Sequence, residues 1–319
     1  TPEDEAVVLT CLRSSHLTQG PEVERFEEAL AEQAGTRCAV VVNSGTAALY
    51  VALRAAGAGP HTRVWTTPIS FMATANAALL TASQLVFSDV DVTTGLVGGW
   101  VPAAQFFIPV TLGGNPITLT AAEQQKTVIV DACHGPIALP VGATAACLSF
   151  HPSKHVACGE GGAILTNDET FAQHCKRLRD HGRRPDKRMA TLSMNFRLAD
   201  LNAALGRSQL ARYDQNLEKR REIALNYDEA FDGKVETVPH SLESARHLYQ
   251  ILVDKRDRVQ EKLKAKGVGS QVHYHPIHLE PFYRSQLGFR EDQLPCAERF
   301  AERTLSLPLY PTLTEAEQE

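Results

Sequence analysis

The sequence predicts an α/β protein, with a mainly parallel central sheet flanked by helices and a small C-terminal α+β unit. Two observations predict this. Over the first two-thirds of the chain, short runs apolar at nearly every residue alternate with helical segments, the pattern of strands buried on both faces. From about Gly233 onward the order becomes a compact strand–helix–strand–helix. The expected division is a large unit over 1–231 and a small one over 232–319.

Pro21 to Ala34 places Val23, Phe26 and Leu30 on one helical face, with proline at the first turn and Gly35 at the end. Cys38 to Val42 is a buried strand, and Ser44-Gly45-Thr46 opens an Ala/Leu-rich helix ending near Gly57. A strand at Arg63 to Thr66 precedes a helix from about Phe71 to Leu80. Strands follow at Leu85 to Phe87, Phe106 to Val110, Thr127 to Val130, Ala145 to Phe150 and Gly162 to Thr166. Asp200 to Phe231 has one long helical pattern, with Gly206 as its weak point. The tail shows a strand at Leu248 to Val253, a helix at Val259 to Lys266, a strand at Ser270 to Tyr274 and a helix at Cys296 to Leu305.

Composition excludes several classes. A net charge of -5 over 319 residues gives no basic surface for nucleic acid. No apolar run reaches the roughly 18–20 residues of a membrane span. Thr1 to Glu5 is acidic and unlike a signal peptide, so a cytoplasmic protein is expected. The seven cysteines are scattered and never form C-x-x-C, which argues against a disulfide scaffold or a zinc knuckle. Cys38, Cys133 and Cys147 are expected to be ordinary buried thiols. His273 and His275 could share a strand face, but no cysteine or carboxylate group accompanies them, so no metal is expected. Lys219, Arg220 and Arg221 read as a solvated helix face.

Three motifs carry chemistry. Asn43 to Ala48 joins a strand to a helix N-terminus, a turn that either binds a phosphate or is simply capped by Ser44; Gly45 permits close approach and Thr46 adds a hydroxyl. Thr127 to Asp131 is a buried strand ending in a carboxylate, suited to a protonated pyridine nitrogen, to capping a helix or to a metal. Lys154 sits between an apolar strand and the turn Gly159-Glu160-Gly161-Gly162, a setting for a Schiff-base lysine. An isolated lysine is usually a solvated surface residue. The order of phosphate-type turn, strand-end Asp131 and Lys154 makes the chemical reading the stronger one.

Those segments, together with Thr18-Gln19-Gly20-Pro21, Thr66 to Asn76, Asp131 to Gly135 and the run S-F-H-x-x-K-x-x-x-x-G-E-G-G from Ser149, resemble the DegT/DnrJ/StrS sugar aminotransferases nearly end to end. These are fold-type I enzymes that depend on pyridoxal 5'-phosphate. Arg220 to Ile223, Gln271 to Tyr274, Pro276 to His278 and Leu305 to Leu309 are similar to the branch that aminates C4 of a nucleotide-linked 4-keto-6-deoxy sugar, as in pseudaminic acid biosynthesis.

The resemblance implies that Lys154 carries the cofactor and moves protons. It implies that Asp131 holds the ring nitrogen, Phe71 stacks on the ring and His134 lies near the ring hydroxyl. Ser44, Gly45, Thr46 and Ser149 would hold the phosphate. Asn195 would reach the phosphate from a partner subunit, implying a homodimer with composite sites. Thr18, His151, Tyr274 and His278 are expected near the substrate, glutamate being the amino donor. The stretches Gly95 to Gln105, His134 to Ala145 and His181 to Asn195 are shorter than in the family. The resemblance leaves open amination at C3 and GDP- or dTDP-linked substrates. A dehydratase of the same family would carry histidine in place of Lys154, and a non-catalytic regulator would lack Lys154 or Asp131.

Overall fold

The computed structural model describes residues 1–318. Its centre is a seven-stranded sheet built from β1 (Cys38–Val42), β2 (Arg63–Thr66), β3 (Gln84–Phe87), β4 (Phe106–Ile108), β5 (Thr127–Asp131), β6 (Ala145–Ser149) and β7 (Gly162–Thr166), in the order β1-β7-β6-β5-β4-β2-β3. Only β7 runs against the others: it is antiparallel to β1 and β6, while β2–β3, β2–β4, β4–β5 and β5–β6 are parallel. The C-terminal ends of six strands therefore share one edge of the sheet.

Successive residues of each strand enter opposite cores, because side chains alternate across a pleated sheet. Val41, Val128, Val130 and Leu148 pack beneath the helix Pro21–Ala34, with Phe26 and Leu30. Val40, Val42, Ile129 and Cys147 pack on the other face against the helix Gly45–Ala55, with Leu49 and Leu53. Helices thus cover both faces, which is why the strand sequences are apolar throughout.

A second, antiparallel sheet contains β8 (Glu236–Thr237), β9 (Tyr249–Leu252) and β10 (Thr304–Leu307), in the order β10-β9-β8. Leu112–Gly114, just beyond β4, joins it to the first sheet. The Gly113 carbonyl accepts from the backbone N–H groups of His247 and Leu248, and the Gly114 carbonyl from that of Ala245. These bonds fix the chain entering β9, and with it His247.

Several sequence expectations are corrected. Asp200 to Phe231 is two helices, Asp200–Leu210 and Tyr213–Phe231, broken at Ala211-Arg212. Gly206 is no weak point, since a Cβ there would lie 2.6 Å from the Phe26 ring. Ser270 to Tyr274 makes a single bridge, Gln271 to Ser306, instead of a strand. The last long helix ends at Arg303, and Thr304 to Leu307 forms β10 because its alternate residues pair with β9. Arg220 is not solvated: it is 5% exposed and donates to the Leu309 carbonyl.

Candidate active site

The strand ends shape a cavity of about 440 Å³. Its wall takes Ser44, Gly45 and Thr46 from the turn after β1, Ser70 and Phe71 from the segment after β2, Asp131, Cys133 and His134 from the end of β5, Ser149, His151 and Lys154 from the end of β6 and the segment after it, and Tyr274 from the segment after the helix Arg256–Ala265. Ten sequence-predicted residues, separated by as many as 230 positions, therefore meet here. In open α/β sheets such edges are the usual ligand sites.

Gly45 begins the helix Gly45–Ala55, whose N-cap Ser44 accepts a hydrogen bond from the Ala47 N–H at 3.1 Å. A Cβ at Gly45 would lie 2.9 Å from Ser149 Cβ and 3.1 Å from Cys133 Sγ. Any larger residue would push against the β6 end. The turn offers a helix N-terminus, the Thr46 hydroxyl and Ser149 Oγ, a donor set that suits a phosphate.

Asp131 is buried at the centre. Thr74 donates to Asp131 Oδ2 at 2.6 Å, and the Cys133 N–H donates to Oδ1 at 3.2 Å. Ser70 extends this chain to the Thr74 hydroxyl at 2.7 Å. Thr74 was not singled out in the sequence, although it follows Ser70 by one helical turn. Burial pulls the Lys154 ammonium below its usual range, opposed by nearby Cys133 and Asp131. A lysine that gives up its proton more readily than usual is a better nucleophile and proton carrier.

Two buried imidazoles, His134 and His247, and the half-buried His155 lie near Lys154. His134 Nε2 is 3.0 Å from the Tyr274 hydroxyl, and its ring lies 4.2 Å from that of His247. His247 lies 5.2 Å from His155, whose Nε2 meets the Ala245 carbonyl at 2.8 Å. Burial is the main reason His134, His155 and His247 stay below the usual imidazole range, with the Lys154 charge adding to it; His155 is drawn to about 3. Nδ1 of His134 and of His247 have no partner among the described residues. His247 left no sequence signal, because it is brought in by the Gly113-Gly114 carbonyls and not by its neighbours.

Phe71 lies 54% exposed at the cavity mouth, its ring 6.3 Å from that of Tyr274. Cys133 is no plain core thiol but part of the cavity wall. Three expected residues lie off that wall. Thr18 is exposed and bridges Ala199. His278 is fully buried, its Nε2 3.0 Å from Glu298 Oε1, so it cannot touch a substrate. Asn195 is exposed; its Oδ1 accepts from the Arg197 N–H, and its carbonyl is 3.5 Å from Asn43 Nδ2, next to the Ser44 turn. Among the described residues no cluster of three or more His, Cys, Asp or Glu could hold a metal, and no helix is long and apolar enough to cross a membrane.

Known proteins share this architecture. The family model for the DegT/DnrJ/EryC1/StrS aminotransferase family matches residues 1–319. The chain is 34% identical over 348 aligned positions to the spore coat polysaccharide biosynthesis protein SpsC of Bacillus subtilis, covering 97% of this chain and 90% of the relative. That alignment is longer than the chain itself, so SpsC carries residues absent here. It is 34% identical to a pleiotropic regulatory protein of Geobacillus stearothermophilus, covering 100% of this chain and 92% of the relative. It is 35% identical to the UDP-4-amino-4,6-dideoxy-N-acetyl-beta-L-altrosamine transaminase of Campylobacter jejuni, covering 94% and 87%.

Among solved structures, S. venezuelae DesV superposes with a TM-score of 0.93 at 30% identity, covering 99% of this chain and 91% of the other. Helicobacter pylori PseC, an aminotransferase of pseudaminic acid biosynthesis, gives 0.92 at 30% identity, covering 99% and 93%. Bacillus subtilis ntda, solved with bound cofactor PMP, gives 0.90 at 28% identity, covering 100% and 80%. The chain belongs to the DegT/DnrJ/EryC1/StrS aminotransferase family, and is a transaminase dependent on pyridoxal phosphate.

Proposed function

We propose that this enzyme transfers an amino group from glutamate to C4 of a nucleotide-linked 4-keto-6-deoxy sugar, the type of step used in pseudaminic acid biosynthesis. The observation that carries the reading is the placement of Lys154, its ammonium disfavoured by burial, on one cavity wall with Asp131 and the Gly45 turn. Likeness to the altrosamine transaminase and to PseC supports the choice of sugar and of the position of amination.

The residues fit the cofactor. Gly45 leaves no room for a side chain but opens a helix N-terminus, which suits a phosphate held by Ser44, Gly45, Thr46 and Ser149. Asp131, braced by Thr74 and the Cys133 N–H, is a buried carboxylate able to keep a pyridine nitrogen protonated. Phe71 offers a ring face to stack on, and His134 a neutral imidazole for the ring hydroxyl. Pyridoxal phosphate supplies, when bound, the carbonyl that accepts the amino group and the ring that draws electrons from the reacting carbon.

Lys154 Nζ would hold the cofactor and, when free, would serve as the base and acid that carries the proton at the reacting carbon. His151, beside Ser153 at 3.0 Å, and Tyr274 line the approach for the sugar. We further propose a homodimer in which Asn195 reaches the partner's phosphate site. Asn195 sits in a segment whose Met189, Leu192 and Met194 are exposed apolar residues that a second subunit would cover. Seven unpaired cysteines suit a reducing cytoplasm.

The test is a panel of nucleotide-linked 3-keto and 4-keto sugars assayed with glutamate, with the product's amino carbon assigned by NMR. Amination at C4 of a 6-deoxy sugar supports the reading. Turnover confined to 3-keto sugars, or none across the panel by a yellow holoenzyme, overturns it.

A further inference from the structure

Beside the cofactor cavity lies a second, larger groove of about 1050 Å³. Ser153, Lys154 and Tyr274 line both, so a ligand in the groove reaches Lys154 directly. The far wall comes from the helix Tyr213–Phe231 through Arg220, and the rim from Lys266 to Gln271.

Arg220 is out of place for an ordinary structural arginine. It is almost wholly buried, yet among the described residues it forms no ion pair, and nothing but burial acts on its ionisation, drawing it to about 10. Its Nη1 donates to the Leu309 carbonyl at 2.7 Å and to that of His247 at 3.5 Å, while Nε has no partner. Two carbonyls occupy one nitrogen of a group with five N–H donors and do not neutralise its charge. A buried cation without a counter-charge is costly, and an arriving anion removes that cost.

The rest of the lining has the same sign. Arg220 and Lys266 line the groove, and among the described residues Glu317 is the only carboxylate that lines it. Burial keeps the nearby imidazoles His155, His247 and His273 below the usual range, so these rings leave the charge of the groove to the other groups. Ser270 Oγ, buried on the rim, also lacks a partner among the described residues.

We propose that this groove is an anion subsite of the active centre, in which Arg220 and Lys266 receive either the carboxylate of the amino donor or the diphosphate of the nucleotide sugar. The proposal rests on the transaminase reading above, since both co-substrates of that reaction are anions. Arg220 recognises a planar or branched oxyanion through paired N–H groups, and Lys266 adds a mobile charge at the entrance.

The experiment titrates holoenzyme with glutarate, a dicarboxylate, and separately with uridine diphosphate, by calorimetry, for wild type, Arg220→Gln and Lys266→Glu. The expected result is that at least one probe binds wild type and weakens by about tenfold or more in both variants. Loss for glutarate alone assigns the carboxylate, and loss for uridine diphosphate alone assigns the diphosphate. Because Arg220→Gln also removes two bonds to carbonyls, its fold is checked by circular dichroism. If it does not fold, Lys266→Glu and Ser270→Ala decide the matter. Wild-type-like binding of both probes in folded variants, or no binding of either probe to wild type, overturns the subsite. Failure of the transaminase reading is separate: it shows as absent turnover over the keto-sugar panel, whatever the probes do.

Discussion

At the scale of single residues, the site is a set of side chains whose ionisation is controlled by what surrounds them. Lys154 is pulled toward neutrality by burial, while Asp131 is braced by two donors. Thr74 is the least obvious member: its hydroxyl donates to that carboxylate at 2.6 Å. Replacing Thr74 by Val keeps the shape and removes a charge-assisted bond of about 1.5–3 kcal/mol. The expected outcome is a dissociation constant for pyridoxal phosphate raised by about tenfold, measured by fluorescence titration, with a thermal melt lowered by several degrees and the fold retained. An unchanged dissociation constant would show that Asp131 is held without Thr74. Lys154, Asp131 and the Gly45 turn were legible in the sequence because each stands at a strand end with its own signature. His247 and Arg220 were not, because their roles come from segments far away in the chain: the Gly113-Gly114 carbonyls for one and Leu309 for the other.

At the scale of elements, the sheet edge that carries the site is held by a polar clamp. Glu27, on the helix Pro21–Ala34, accepts from the Val41 N–H at 3.0 Å and pairs with Arg179 and Lys176 of the helix Glu169–Arg179. Glu27 and Arg179 are both buried. Glu27→Ala leaves a buried guanidinium and a backbone N–H unpaired, at an expected cost of about 3–5 kcal/mol read from urea unfolding. A loss below about 1 kcal/mol would show that the clamp is dispensable. The strands were readable because a strand buried on both faces must be apolar at every position. Boundaries set by tertiary contacts were not. The break at Ala211-Arg212 has no glycine or proline, and Thr304 to Leu307 leaves the helical pattern only because β9 offers it a partner.

At the scale of the whole molecule, many histidines are folded in as neutral rings. Burial draws His155 and His240 to about 3 and His273 to about 4, and takes His134 and His247 well below the usual 6.5. In the unfolded chain these rings take up protons from about pH 6.5 downward, whereas in the folded chain they do not until far lower. The unfolded state therefore binds more protons in that window, and stability is lost as the pH falls from about 6.5 toward 4. Each ring contributes up to about 1.4 kcal/mol per pH unit. The melting temperature of the holoenzyme is expected to fall by about 10 °C or more between pH 7.5 and 5. A flat profile over that range would mean that these rings are not buried neutral.

The central claim is that Lys154, among all the lysines, carries the cofactor. The direct measurement is borohydride reduction of the yellow holoenzyme followed by peptide mapping with mass spectrometry. The expected result is loss of the visible absorption together with a single pyridoxyl mass increment on the peptide containing Lys154. An increment on another lysine, or none on a protein that has bleached, would contradict the assignment.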